Sequence, residues 1–215
     1  MSRFFRVVPA ILTDDEHKLS GMLQQAATFT DYVQIDIMDG KFVPSHSITW
    51  EQIRDVPQTL RWEVHLMVEQ PEKQLASFKQ AGAFKAIFHF EAATNPGRVI
   101  TRARELGLAV GLAINPETAI EQILSLTSEV DSVLFLSVHP GFYNAKFIPE
   151  VLDKITVLRQ LCPQLELGID GGIKDNNINA VAKKGVNEIC VGSAIFMQPD
   201  PGTSYRKLLS LANGD

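Results

Sequence analysis

Four polar side chains set in otherwise apolar runs carry the chemical content of this chain: Asp36, His65, His89 and Asp170. Asp36 lies in Val33-Gln34-Ile35-Asp36-Ile37-Met38-Asp39-Gly40, a run of β-branched and apolar residues closed by a glycine. Such a run reads as a buried strand ending in a turn. Period-two alternation turns Gln34, Asp36 and Met38 to one side and Val33, Ile35 and Ile37 to the other. A carboxylate there is costly unless a charge, a metal or hydrogen bonds compensate it. Taken singly, each of the four admits a structural reading, and a lone histidine in an apolar strand is commonly a hydrogen-bonded core residue. Two carboxylates and a histidine at one rim are a different matter, because a divalent cation or shared protons would relieve their repulsion.

Two opposed aspartates suit one reaction type. One removes a proton beside a carbonyl and the other returns a proton from the opposite face, which inverts a stereocentre. The enediolate between the two steps needs a Lewis acid or strong hydrogen bonds at its oxygens. General acid–base work contributes roughly 10² to 10⁴ in rate, so an electrophile has to be sought. An Asp/His/Asp set with an open position can hold zinc, iron or manganese.

The elements that must position these groups read as eight strand-then-helix units. Strands are expected at 6–12, 32–39, 61–68, 85–92, 109–115, 132–139, 166–172 and 188–194. Helices are expected at about 15–27, 50–55, from Pro71 to Gly82, from Asn95-Pro96 to Gly107, after Pro116, after Pro149, and at about 176–184 and 203–212. Strands alternating with helices imply a parallel sheet covered on both faces. Eight units in this length imply an α/β fold of the (β/α)8 TIM-barrel type, one domain over residues 1–215. A doubly wound open sheet is the alternative, but the first strand ends Leu12-Thr13-Asp14 without a GxGxxG turn. In such a barrel, catalytic groups gather at the C-terminal strand ends. Loops seven and eight commonly cradle phosphate there, and Gly171-Gly172 and Gly192-Ser193 fall on them.

Composition narrows the partners. A net charge of -5 with no Lys/Arg block argues against nucleic acid. No apolar run is long enough to cross a bilayer, and Met1–Ala10 is too short for a signal sequence. Cys162 and Cys190 lack metal-like spacing and read as packing residues in a reducing compartment. A cytoplasmic location is expected.

At this point the residues resemble ribulose-phosphate 3-epimerases. The matching segments are Asp36-Ile37-Met38-Asp39-Gly40 with Phe42-Val43-Pro44, Val64-His65-Leu66-Met67, Phe88-His89 with Glu91-Ala92, and Gly111-Leu112-Ala113-Ile114-Asn115-Pro116. Further on come Ser137-Val138 with Pro140-Gly141-Phe142, Lys146-Phe147-Ile148-Pro149, Asp170-Gly171-Gly172-Ile173 and Val191-Gly192-Ser193-Ala194-Ile195-Phe196. The resemblance implies the ribulose-phosphate-binding type of barrel and a homo-oligomer. The implied reaction is 3-epimerisation of a phosphorylated ketose, D-ribulose 5-phosphate to D-xylulose 5-phosphate. It implies Asp36 and Asp170 as the acid/base pair and as metal ligands with His65. It implies Met38 and Met67 flanking the substrate, and Gly141, Gly171, Gly172, Gly192 and Ser193 at the phosphate.

The chain departs from the family pattern at one rim. Gln34 stands where a second metal-binding histidine is usual, leaving a possible weak fourth ligand to zinc, iron or manganese. Ala10 replaces a serine, Leu136 a methionine, and Tyr143-Asn144-Ala145 a flexible Gly-Gly-Gln. Lys41 and Ser45 stand where histidine and asparagine are common. Two further readings therefore stay open. One is a non-catalytic phosphosugar-binding homologue with a degraded metal site. The other is a hexulose-phosphate synthase or decarboxylase type lyase, although the Asp-x-Lys-x-x-Asp run of those enzymes is absent from Asp36-Ile37-Met38-Asp39.

Overall fold

The computed structural model describes residues 5–57, 59–141 and 146–214. Eight parallel strands close into a barrel in chain order: β1 (Arg6–Ile11), β2 (Tyr32–Met38), β3 (Arg61–Met67), β4 (Lys85–His89), β5 (Ala109–Ile114), β6 (Ser132–Leu136), β7 (Glu166–Asp170) and β8 (Glu188–Val191). Among the described residues the helices are α1 (Glu16–Ala26), α2 (Trp50–Asp55), α3 (Leu75–Gln80), α4 (Pro96–Glu105), α5 (Val151–Leu161), α6 (Ile178–Ala182), α7 (Ser193–Phe196) and α8 (Pro201–Asn213). Local signals set several boundaries. Asp15 caps α1 by accepting from the N–H groups of His17 and Lys18, and Asn95 caps α4 with Pro96 in its first turn. Asp200 and Pro201 do the same for α8, which ends at Gly214 in the left-handed region.

Strand alternation builds two apolar layers. Val33, Ile35, Ile37, Val64 and Leu66 face outward and pack with Leu19, Leu23 and Phe78 from the helices. Val8, Ala10, Ile87, Ala113, Leu134, Leu136 and Cys190 face inward and fill the barrel. The β2–β3 register places Asp36 beside His65, and Asp170 on β7 pairs with Leu136 on one side and Cys190 on the other.

The N-terminal end of the barrel is closed by charge. The Lys85 ammonium lies 2.9 Å from Glu63 Oε2 and 3.2 Å from Glu188 Oε2. Arg6 donates from Nε to Glu188 Oε1 at 2.7 Å and stacks 4.0 Å over the Tyr32 ring. The Tyr32 hydroxyl donates to Glu63 Oε2 at 2.8 Å. Burial and the charge of Glu188 push the Glu63 carboxyl upward, and Lys85 opposes them.

Several expected boundaries are corrected. Pro116 opens no α-helix, and β5 is followed by 3-10 turns at Ile120–Gln122 and Leu124–Leu126. The polar groups of that segment are engaged elsewhere. Asn115 N–H and the Thr118 hydroxyl donate to Glu91, and the Lys154 ammonium takes the carbonyls of Pro116 and Thr118. The fourth strand stops at His89, before a 3-10 turn at Phe90–Ala92. The sixth stops at Leu136, the seventh at Asp170 and the eighth at Val191. Gly192 breaks the extended run with φ -95° and ψ -86°, so the apolar residues after it form α7 rather than more strand. Both Cys162 and Cys190 are free thiols. No helix among the described residues is long and apolar enough to cross a membrane.

Replacing Lys85 with methionine leaves Glu63 and Glu188 buried without their shared cation. The expected outcome is a loss of about 3–5 kcal/mol in urea denaturation, and an unchanged midpoint would show that the network contributes nothing.

Candidate active site

The opposite end of the barrel holds a cleft lined by Asp36, Met38, His65, Met67, Gly141, Asp170, Gly171, Gly172, Gly192 and Ser193. Every cleft residue expected from the sequence is therefore brought together. Ala10 and Leu136 line the same space, so the small and the branched residue at those two departures face the cleft.

At its floor, ligand atoms of Asp36, His65 and Asp170 lie within 4.8 Å of one another. His65 Nδ1 is 3.0 Å from Asp36 Oδ1 and 3.5 Å from Asp170 Oδ2. Burial pushes the Asp36 carboxyl up, and the charge of Asp170 adds to this, while the His65 hydrogen bond pulls it back. Burial also opposes charge on His65. Hydrogen bonds to Asp170 and Asp36, and their charges, outweigh it and raise the imidazole to about 9.

Gln34 is wholly buried below this group. Its amide nitrogen donates to Asp36 Oδ1 at 2.8 Å and to Asp170 Oδ2 at 2.7 Å. Its oxygen is turned away and accepts from the Cys190 thiol at 3.2 Å. Two carboxylate oxygens on one side fix the amide orientation, since an oxygen there would face only acceptors. Gln34 is thus placed as a donor that holds the two aspartates.

His89 is fully buried, with Nε2 3.0 Å from His65 Nε2 and Nδ1 3.4 Å from Glu91 Oε2. Burial drives its pKa down to about 4, and the charge on His65 adds to the effect while the Glu91 hydrogen bond opposes it. The sequence reading flagged His89 but gave Glu91, which lies on the 3-10 turn after the strand, no part in the site.

The surrounding loops are tied down by side chains. The Ser137 hydroxyl donates to the carbonyls of Asp170 at 3.0 Å and Gly171 at 2.7 Å, fixing the end of β7. Gly171 and Gly172 have φ of +107° and +67°, and a Cβ on Gly172 would meet the Phe147 backbone at 3.0 Å. Asp39 accepts from the N–H groups of Lys41, Phe42 and Glu69, joining the loops after β2 and β3. Ser45 donates to the Gly141 carbonyl at 2.5 Å. Lys41 is exposed, and His139 is also exposed, 3.1 Å from Glu117 and outside the cleft lining. Tyr143-Asn144-Ala145 lie outside the described residues. Sequence reading also missed Lys174, which lines the cleft beside the glycine pair. Its signal was plain: it is the first charged residue after Gly171-Gly172.

The chain is 37% identical over 210 residues to ribulose-phosphate 3-epimerase of Synechocystis sp., covering 93% of this chain and 91% of that protein. It is 34% identical over 213 residues to ribulose-phosphate 3-epimerase of Escherichia coli, covering 95% and 93%. Among solved structures it resembles 3-hexulose-6-phosphate synthase from Salmonella typhimurium, with a TM-score of 0.73 over 98% of this chain and 99% of that one. At 14% identity that likeness speaks to the fold alone. The profile of the ribulose-phosphate 3 epimerase family matches residues 6–196, and the chain belongs to that family.

Proposed function

We propose that this protein is a ketose-phosphate 3-epimerase that interconverts D-ribulose 5-phosphate and D-xylulose 5-phosphate. The observation that carries this reading is the pair Asp36 and Asp170, held at one floor with His65 between them and open to a cleft. One carboxylate takes the proton from C3 while the other, protonated, waits across the sugar. The C3–H electron pair moves into the C2–C3 bond and the carbonyl oxygen gains negative charge. Return of a proton to the opposite face of C3 restores the carbonyl and inverts the centre. The raised Asp36 carboxyl suits proton exchange near neutral pH better than an ordinary aspartate does. Met38 and Met67 present apolar walls that exclude water from the carbanionic stage.

The Asp36, His65 and Asp170 donors fit a divalent cation, zinc, iron or manganese, by their nitrogen and oxygen chemistry and their close approach. Such an ion would supply Lewis-acid stabilisation for the substrate oxygens. Gln34 contributes two N–H donors to the carboxylates, as a neutral clamp. The phosphate is assigned to the cleft wall of Gly141, Gly171, Gly172, Gly192 and Ser193, with Lys174 as the nearby cation. The same amide clamp favours one second reading, a phosphosugar-binding homologue without turnover, since Gln34 occupies the corner where another metal ligand would stand.

Proton exchange separates the two. In deuterated water with Zn²⁺, Fe²⁺ or Mn²⁺ supplied, C3 of ribulose 5-phosphate takes up deuterium as xylulose 5-phosphate forms. Absence of label with that substrate defeats the epimerase reading. Asp36→Asn and Asp170→Asn are each expected to lower kcat by about 10²–10⁴-fold. Lys174→Ala is expected to raise KM for the phosphorylated sugar with little change in kcat, and a kcat loss alone would remove Lys174 from the phosphate. Gln34→His replaces a donor by an imidazole lone pair, so Zn²⁺ affinity measured by competition with a chelating dye should rise roughly tenfold. Unchanged affinity would place residue 34 outside reach of the ion.

A further inference from the structure

We infer that Ser45 is a positioning residue: its hydroxyl fastens the loop after β2 to Gly141 across the barrel mouth and so holds one side of the phosphate wall. The inference rests on the phosphate placement proposed above and adds to it a residue that lies outside the cleft lining.

Strand order gives the contact its meaning. β2 and β6 stand opposite each other in the closed barrel, with β3, β4 and β5 between them one way and β7, β8 and β1 the other. Contacts between neighbouring units order a rim segment by segment. A contact between opposite units ties two sides of the mouth together. The Ser45 hydroxyl donates to the Gly141 carbonyl at 2.5 Å. A hydroxyl facing a carbonyl leaves only one possible donor, so the direction of this bond is fixed by its atoms.

Gly141 is seated as well as bonded. It is buried, and its φ is +103°, a conformation that glycine adopts at little cost. A Cβ there would lie 2.9 Å from Val43 Cβ and 3.1 Å from Pro44 Cδ, so the backbone rests directly on the two residues before Ser45. Val43 in turn packs with Met38 and Met67, the apolar walls of the cleft. The loop that supplies the seat folds back on itself. Met38 N–H donates to Ser47 Oγ at 2.9 Å, Ser47 N–H to the Met38 carbonyl at 3.1 Å, and Gly40 N–H to the Ser45 carbonyl at 3.0 Å. Ile48 N–H donates to the Thr13 carbonyl at 2.9 Å, which anchors the same loop beside β1.

The segment that leads from β6 to Gly141 is anchored separately. Ser137 bonds the carbonyls of Asp170 and Gly171, and Val138 packs against Gly171. Removing the Ser45 hydroxyl therefore frees Gly141 while the end of β7 keeps its own support. Backbone groups bind an anion well when they are already held in place, because a mobile wall must be ordered at the expense of affinity. The consequence falls on the phosphate end of the substrate rather than on Asp36 and Asp170, neither of which bonds to Ser45.

Inorganic phosphate is the probe, and its Kd is read from the amide shifts of Gly171 and Gly172 in ¹H–¹⁵N spectra, with no turnover needed. Ser45→Ala is expected to raise that Kd about three- to tenfold, and KM for ribulose 5-phosphate by a similar factor, with kcat within about twofold of wild type. Ser45→Thr keeps the hydroxyl and should return both values to near wild type. A Ser45→Ala protein with the wild-type phosphate Kd overturns the inference. So does a raised Kd that Ser45→Thr fails to restore, which would mark general damage to the loop, and so does a fall in kcat at unchanged KM. Wild-type spectra that ignore phosphate remove the phosphate wall, and this inference with it, while deuterium uptake at C3 still judges the epimerase reading. Absent label with a phosphate Kd that responds to Ser45→Ala defeats the epimerase reading and leaves the Ser45 contact standing.

Discussion

Two carboxylates pressed together in a largely buried place are the constraint from which this molecule's upper rim is built. Asp36 and Asp170 come from strands far apart in sequence and meet only because the barrel closes. Their repulsion in a medium of low polarisability would drive one of them to bind a proton or drive the strands apart. The fold answers with donors. His65 lies against both, and the Gln34 amide reaches both from below. An amide compensates negative charge less than a cation does. It therefore leaves the Asp36 carboxyl raised and ready to take a proton, which a site for moving protons requires.

The two ends of the barrel solve the same electrostatic problem differently. At the N-terminal end Glu63 and Glu188 are neutralised by Lys85 and Arg6 on the spot. The result is a polar plug under the apolar middle layer. At the C-terminal end the compensation is partial and the groups stay accessible. That division matches the physics of this architecture: strand starts can be sealed for stability, while strand ends carry loops that can be varied.

Rigidity around the site comes from side chains that reach across units. Ser137 on the loop after β6 holds the carbonyls at the end of β7, and Asp39 after β2 holds the loop after β3. Lys154 on α5 holds the segment after β5, and that segment in turn holds Glu91 after β4. Each link joins neighbouring βα units, so these loops are tied to one another by short polar contacts. Such links order a catalytic group without placing another charge inside the cleft.

The sequence by itself determined the things that depend on local periodicity and composition. Apolar runs broken at regular distances by capping residues, prolines and glycines specify alternating strands and helices, and eight of them specify the barrel. The position of Asp36 in its run already put it on one face with Gln34 and Met38. What the tertiary structure alone decided were the relations between units. Whether an amide presents nitrogen or oxygen depends on what stands opposite, and opposite Gln34 stand Asp36 and Asp170, the latter 136 residues away. The partners of Glu91, the helix that fails to form after Pro116, and the end of the last strand at Gly192 share that origin. Each follows from partners supplied by a neighbouring unit or from a local break that outweighs apolar propensity. Hydrogen-bond direction is a property of a closed network, and a network closes only in three dimensions.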